Sequence, residues 1–134
     1  MNHLSKIQAA ALQLRLYRCC ADVPAIQLML LSTVDGFQLV TAGSRRDDPE
    51  LPEKFAAMAS SMSALAAAAG KELGSKEHLE AVVLDLIDLR VILRMVNSAQ
   101  QQFVLATVAD RQTSLGPLLK IIYENARLLE EVLH

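Results

Sequence analysis

The chain has no tryptophan, and aromatic residues make up only 4% of it. Pockets for small molecules are commonly walled by aromatic side chains, so the composition argues against a ligand pocket as the main purpose. There is no basic run either. The 13 Lys and Arg are spread along the sequence and the net charge is -2. Nucleic-acid binding needs a concentrated basic face, and that class is set aside. Only two cysteines occur, side by side at Cys19-Cys20. Neighbouring cysteines bridge each other only by distorting the backbone. No disulfide framework is available, and a reducing cytoplasm is the expected compartment. The longest uncharged stretch, FAAMASSMSALAAAAG, is shorter than the ~20 residues of a membrane span and carries three serines. No membrane insertion is expected.

The first twenty residues, MNHLSKIQAAALQLRLYRCC, lack the continuous apolar core of a signal peptide. They are amphipathic, basic and free of acids before Asp22. A transit peptide would have that composition. The apolar spacing, which runs on into an ordered pattern, favours the first helix of a fold.

What the chain does have is aliphatic surface. Of its 134 residues, 52% are hydrophobic, above the ~45–50% of ordinary soluble domains. The length fits one domain, residues 1–134, with one core. Surplus apolar surface on a small domain suggests a second subunit to cover it.

Periodicity divides the chain into eight elements. A helix is expected over about Leu4–Cys20, with Leu4, Ile7, Ala11 and Leu14 on its apolar face, ended by Asp22-Val23-Pro24. A strand over Ala25–Val34 places Ile26, Leu28 and Leu30 on one side and Met29 and Leu31 on the other. Both sides are apolar, as in a strand buried on both faces. Asp35-Gly36 then reads as a type I′ hairpin turn into a strand over Phe37–Ala42. After the charged loop SRRDDPELPEK, a long helix covers Leu51–Leu73, with Pro52 in its first turn. Phe55, Met58, Met62, Leu65, Ala69 and Leu73 recur along it at helical spacing, and nearly everything else there is Ala or Ser. A helix apolar or small nearly all round is buried on more than one side. Three strands follow, at Leu79–Leu86, Arg90–Val96 and Gln102–Ala109, and then a helix at Ser114–Leu133. The fold class is α+β, a five-stranded antiparallel sheet with helices packed on it, in the order α-β-β-α-β-β-β-α.

Three segments, in this order and spacing, carry a family resemblance. They are LMLLSTVDGFQLVTAG, FAAMASSMSALAAAAGKEL and FVLATVADRQTSLGPLLKIIYENARLL. Together they make the stretch from Ala25 to Leu133 resemble the roadblock/dynein light chain family, in particular its bacterial MglB-like members. The turn between the third and fourth strands departs from the family. It reads LIDLR, without the usual glycine, and a wider or bulged hairpin is expected there. The resemblance implies dimers, homomeric or heteromeric, joined through the long helix and the edge third strand. It implies partnership with a Ras-like small GTPase whose nucleotide cycle the dimer regulates. It also covers scaffolds for GTPases and dynein-associated light chains.

A search for chemistry finds little. AAGKELGSK contains Gly70-Lys71, but Glu72 follows and Leu65 stands where a P-loop needs glycine. There is no G-x-S-x-G elbow. His3, His78 and His134 are far apart; His78 beside Glu77 and Glu80 lacks the paired spacing of a metal site. Cys19-Cys20 has no third ligand and reads as half-buried thiols. Asp85 and Asp88 read as solvent-exposed or paired with Arg90. Arg90 and Arg94 share a strand face. They are candidate contacts for a partner's acidic surface, with surface salt bridges as the blander and preferred reading. The resemblance implies that they are not arginine fingers.

Together with that resemblance, the sequence leads to the expectation of a non-catalytic, cytoplasmic homodimer that binds a Ras-like small GTPase and regulates or positions it, without cofactor or metal. Its dimer interface is assigned to Phe55, Met58, Met62, Leu65, Ala69, Leu79, Ala81 and Val83. The alternative is a ligand-sensing or scaffolding α+β domain unconnected to a GTPase.

Overall fold

The computed structural model describes residues 4–134. Helix α1 (Lys6–Asp22) is followed by β1 (Ile26–Thr33), β2 (Gln38–Ala42), α2 (Leu51–Glu72), β3 (Ala81–Asp85), β4 (Leu89–Asn97), β5 (Gln102–Asp110) and α3 (Leu115–Leu133). The strands form one sheet in the order β2-β1-β5-β4-β3, every neighbouring pair antiparallel. The architecture is thus the expected five-stranded antiparallel sheet with helices on it. Helices α1 and α3 cover one face and α2 covers the other.

Each face has its own apolar layer. Leu12, Leu16, Met29, Leu31, Ile92, Phe103, Leu105, Leu118 and Ile122 fill the space under α1 and α3. Leu28, Leu30, Phe55, Ala56, Ala59, Leu93, Val104 and Ala106 fill the space under α2. Alternation along β4 sends Val91, Leu93 and Met95 towards α2 and Ile92 and Val96 the other way. Strand β1 is buried on both faces, as its composition requires.

Four details differ from the sequence reading. In α1 the buried residues are Leu12, Leu16 and Cys19, whereas Ile7 is 84% exposed and Leu14 46%. The helix has two apolar stripes, and the one that packs is the one turned to the sheet and α3. Ile26 lies under α1 and α3 rather than sharing a side with Leu28 and Leu30, because the β1–β5 register shifts between Ile26 and Leu28. An extra residue at a bulge reverses the alternation. The Asp35-Gly36 turn is not type I′, since Gly36 has φ +98 whereas Asp35, like every other non-glycine among the described residues, does not have positive φ. Gly36 N donates to the Thr33 carbonyl at 3.1 Å and Thr33 N to the Phe37 carbonyl at 2.9 Å. That is a three-residue loop closed by a left-handed glycine, and the pairing slips one position between Leu31 and Ser32. Finally, the β3–β4 hairpin is neither wide nor bulged. Its register is regular from Ala81↔Arg94 to Asp85↔Arg90. Leu86 N donates to the Leu89 carbonyl at 2.8 Å, leaving Ile87 and Asp88 as the turn. Arg111 Nη1 donates to the Leu86 carbonyl at 2.7 Å, so a side chain holds the turn that a glycine commonly permits.

The two edges of the sheet are treated differently. Beside β2, Gln13 of α1 acts as a surrogate strand: its Nε2 donates to the Thr41 carbonyl at 2.7 Å and its Oε1 accepts from Thr41 N at 3.4 Å. Helix α1 thereby blocks that edge. Strand β3, at the other end, carries four apolar residues in a row and, among the described residues, pairs only with β4.

Candidate interaction face on α2 and β3

Helix α2 turns Phe55, Ala56, Ala59 and Ser63 into the core. The flank towards β3 carries Met58, Met62, Leu65 and Ala69. Met58 is 51% exposed and Leu65 71%, while Met62 packs partly against the layer beneath. Alanines and serines fill the crest, with no charge between Lys54 and Lys71. Such a surface lets another backbone come close.

Beside that flank the sheet is incompletely covered. A cavity of 560 Å³ opens between the first half of α2 and the β3–β4 hairpin, walled by Leu51, Phe55, Met58, Met62, Leu84 and Leu86. Arg45 is its only charged lining residue among the described residues. The apolar surface continues over the hairpin, where Leu84, Leu86 and Ile87 are all exposed, Ile87 almost completely. A contiguous apolar region of this kind marks an interaction site. Next to it runs the open edge of β3, whose free backbone groups can pair with another strand.

The assigned interface residues fall into three groups. Phe55 is buried in the chain's own core. Met58, Met62, Leu65 and Ala69 lie along the open flank of α2. Leu79 packs partly under α2, whereas Ala81 and Val83 stand opposite Arg94 and Ile92 on the α1/α3 side of the edge strand. The sequence reading did not name Leu84, Leu86 and Ile87, which extend the exposed apolar face. The signal was there: an all-apolar Leu86-Ile87 at a turn, where polar residues normally sit.

The two arginines are engaged within the chain. Arg90 is buried, with Nε and Nη2 on the two Asp85 carboxylate oxygens and Nη1 on the Thr113 carbonyl at 2.9 Å. A forked pair of this kind is among the stronger charge-assisted contacts. The Arg90 hydrogen bonds hold the Asp85 carboxyl below the usual carboxylate range, aided by Arg111. Asp85 in turn pushes the Arg90 guanidinium up. Arg94 lies 4.2 Å over the Tyr123 ring and donates from Nη1 to the Glu80 carbonyl at 3.1 Å. Tyr123 donates its hydroxyl to Glu80 at 3.2 Å. Burial, then the Glu80 charge, raises the Tyr123 phenol. Arg94 fastens β3 and β4 to α3, and Arg90 fastens them to the loop that precedes it.

The remaining chemical candidates are scattered. Gly70-Lys71 lies in the last turns of α2, where backbone N–H groups are already used in the helix. His78 and His134 are exposed, and His3 lies outside the described residues. Among the described residues no three His, Cys, Asp or Glu side chains gather to hold a metal ion, and no helix is long and apolar enough to cross a membrane. Burial pushes the Cys19 thiol up to about 12 and the Cys20 thiol to about 11, so both stay protonated and unreactive near neutral pH.

Neither a family model nor a curated protein matches the sequence. Solved structures do match the fold. Myxococcus xanthus MglB superposes with a TM-score of 0.83 at 16% identity, over 98% of this chain and 93% of that one. A structure described as MglB with tetrameric arrangement gives 0.81 at 19% identity, over 97% and 93%. The Roadblock/LC7 domain from Streptomyces avermitilis gives 0.76 at 20% identity, over 87% and 92%. With its sheet order, its helix layers and nearly its full length shared with these proteins, the chain has the roadblock/LC7 fold, in the form found in MglB.

Proposed function

We propose that this chain forms a homodimer that binds a Ras-like small GTPase and regulates or positions it, without catalytic groups of its own. The observation that carries the dimer is the uncharged flank of α2 lying beside an apolar cavity and an open strand edge. A second copy related by a two-fold axis would lay its α2 into that cavity. Its β3 would pair with β3, making one sheet of two. The other edge is blocked by Gln13, so β3 is the strand left to pair.

Support for the GTPase half comes from the three sequence segments that resemble the roadblock/dynein light chain family, together with the fold shared with MglB. The described residues hold no convergent acid, base and nucleophile, which is why the mechanism is assigned to shape. A rigid dimer surface that fits one switch conformation of a GTPase better than another shifts its population by that difference in affinity. A cytoplasmic location suits this role.

The test is affinity capture from the source organism's lysate, with a non-hydrolysable GTP analogue and again with GDP. The expected result is a Ras-like GTPase retained in one nucleotide state. Recovery of this chain alone in both conditions overturns the GTPase assignment and leaves a scaffold or ligand sensor.

A further inference from the structure

A second cavity, of 230 Å³, opens on the other flank of α2. Its helical wall is Ser60, Ser63, Ala64, Ala67 and Lys71, at i, i+3, i+4, i+7 and i+11. Ser60 comes two residues after Met58 and so stands about 200° around the helix from it. The proposed dimer and this cavity use different sides of α2, and the cavity does not depend on the dimer. Met95 of β4, Leu79 and Val34 add apolar walls. The two hydroxyls of the helical wall differ. Ser60 Oγ donates to the Val34 carbonyl. Ser63 is only 6% exposed, and its Oγ is buried without a hydrogen-bond partner. An orphaned buried hydroxyl keeps its full desolvation cost. An acceptor brought into the cavity relieves that cost after rotation about χ1 of the serine.

The charge around the cavity is balanced. Lys71 and Glu77 are its charged lining residues among the described ones, one of each sign, with His78 next to Glu77. Neither Lys71 nor Glu77 is in an ion pair among the described residues. We propose that this cavity binds a small aliphatic amino acid in its zwitterionic form. Lys71 takes the carboxylate, Glu77 takes the ammonium, and Ser63 donates to a carboxylate oxygen. The apolar walls take the side chain.

The same balance of charge disfavours other occupants. A simple anion meets Glu77, and a simple cation meets Lys71, so the lining favours a molecule that carries both signs. Size narrows the choice further. At the ~30 Å³ that a water takes in the liquid, the cavity holds about eight non-hydrogen atoms, the size of valine. It is smaller than the ~300–1,000 Å³ of drug-sized ligand sites, and no aromatic side chain lines it among the described residues.

The experiment is calorimetric titration of the full chain with L-valine at neutral pH. Two analogues serve as controls: isovalerate, which lacks the ammonium, and isobutylamine, which lacks the carboxylate. Valine is expected to bind and to raise the thermal midpoint, and each analogue to bind at least about fivefold more weakly. Lys71→Gln and Glu77→Gln each weaken valine about threefold, as suits exposed charges. Glu77→Gln leaves isovalerate no weaker, which a merely structural role for Glu77 would not produce. Ser63→Ala weakens valine about fivefold. Its urea midpoint without ligand stays unchanged or rises, because no hydrogen bond is lost. Ala67→Met, on the exposed helical wall, fills the cavity and removes binding while the chain stays folded. Absence of valine binding up to about 10 mM overturns the proposal. So does isovalerate binding as tightly as valine, since the site would then read a carboxylate alone. Valine binding that Ser63→Ala and Ala67→Met both retain places the ligand elsewhere and overturns it as well.

Discussion

Gly43 shows how strictly a single position can be set. Its φ is +113, and a Cβ there would lie 2.4 Å from the Gln27 carbonyl oxygen. Gln27 sits where the β1–β5 register shifts, and its carbonyl also accepts from Arg45 N at 3.0 Å. Gly43→Ala therefore meets both backbone strain and a clash with main chain. It is expected to cost about 2–4 kcal/mol, read as a fall in the urea midpoint. Asp85 makes a different prediction. Its carboxyl is held low by Arg90, so its contribution is complete above the ordinary unfolded value of ~3.9 and is lost as pH falls through the lower folded value. Urea midpoints at neutral pH and in acid will show a steeper acid loss for the wild type than for Asp85→Asn. The variant is already weaker at neutral pH, because it leaves the buried Arg90 without its counter-charge. Sequence reading offered Arg90 with Asp85 as one of two alternatives. It could not choose, because the Thr113 carbonyl that completes the site arrives from the loop between β5 and α3.

Among the elements, α2 was the most legible. The run from Phe55 to Leu73 is long, periodic and nearly uncharged, and local propensity and burial agree there. Its proposed role in a dimer rests on which side remains open, and a charge on that side is the direct test. Met62→Glu is expected to convert a dimer to a monomer, since an unpaired carboxylate in an apolar seam costs about 3 kcal/mol or more, near a hundredfold in dissociation constant. Light scattering across a dilution series reads it; a Met62→Glu chain that stays dimeric removes α2 from the seam. Helix α1 was misread for a reason of the same scale. Two apolar stripes on one helix are equivalent to a periodicity argument, and only contact with β2 and α3 decides between them. The hairpins erred in their turns alone. Gly36 and Arg111 close them by arrangements that involve the register of neighbouring strands, which dipeptide signals do not contain.

At the scale of the molecule, the two faces and two edges of the sheet divide the work. Helices α1 and α3 close one face and α1 seals the β2 edge. Helix α2 closes only part of the other face, leaving the cavity and the β3 edge. If a second copy completes that face, the folded state is stabilised by mass action. The thermal midpoint of the wild type is then expected to rise with protein concentration, while that of Met62→Glu does not. A concentration-independent midpoint for the wild type argues for a monomer.

By itself the sequence determined the element order, the α+β class and the surplus of apolar surface. Those follow from periodicity, breakers and composition, which act over a few residues and survive without knowledge of partners. Tertiary structure decided which apolar stripe of α1 is buried, that Arg90 is an internal tie, that β2 is blocked while β3 is open, and that Leu84, Leu86 and Ile87 extend the face of α2. Each of these depends on residues far apart in the chain meeting at one place. Burial and hydrogen bonding are properties of that meeting, and no local pattern specifies them.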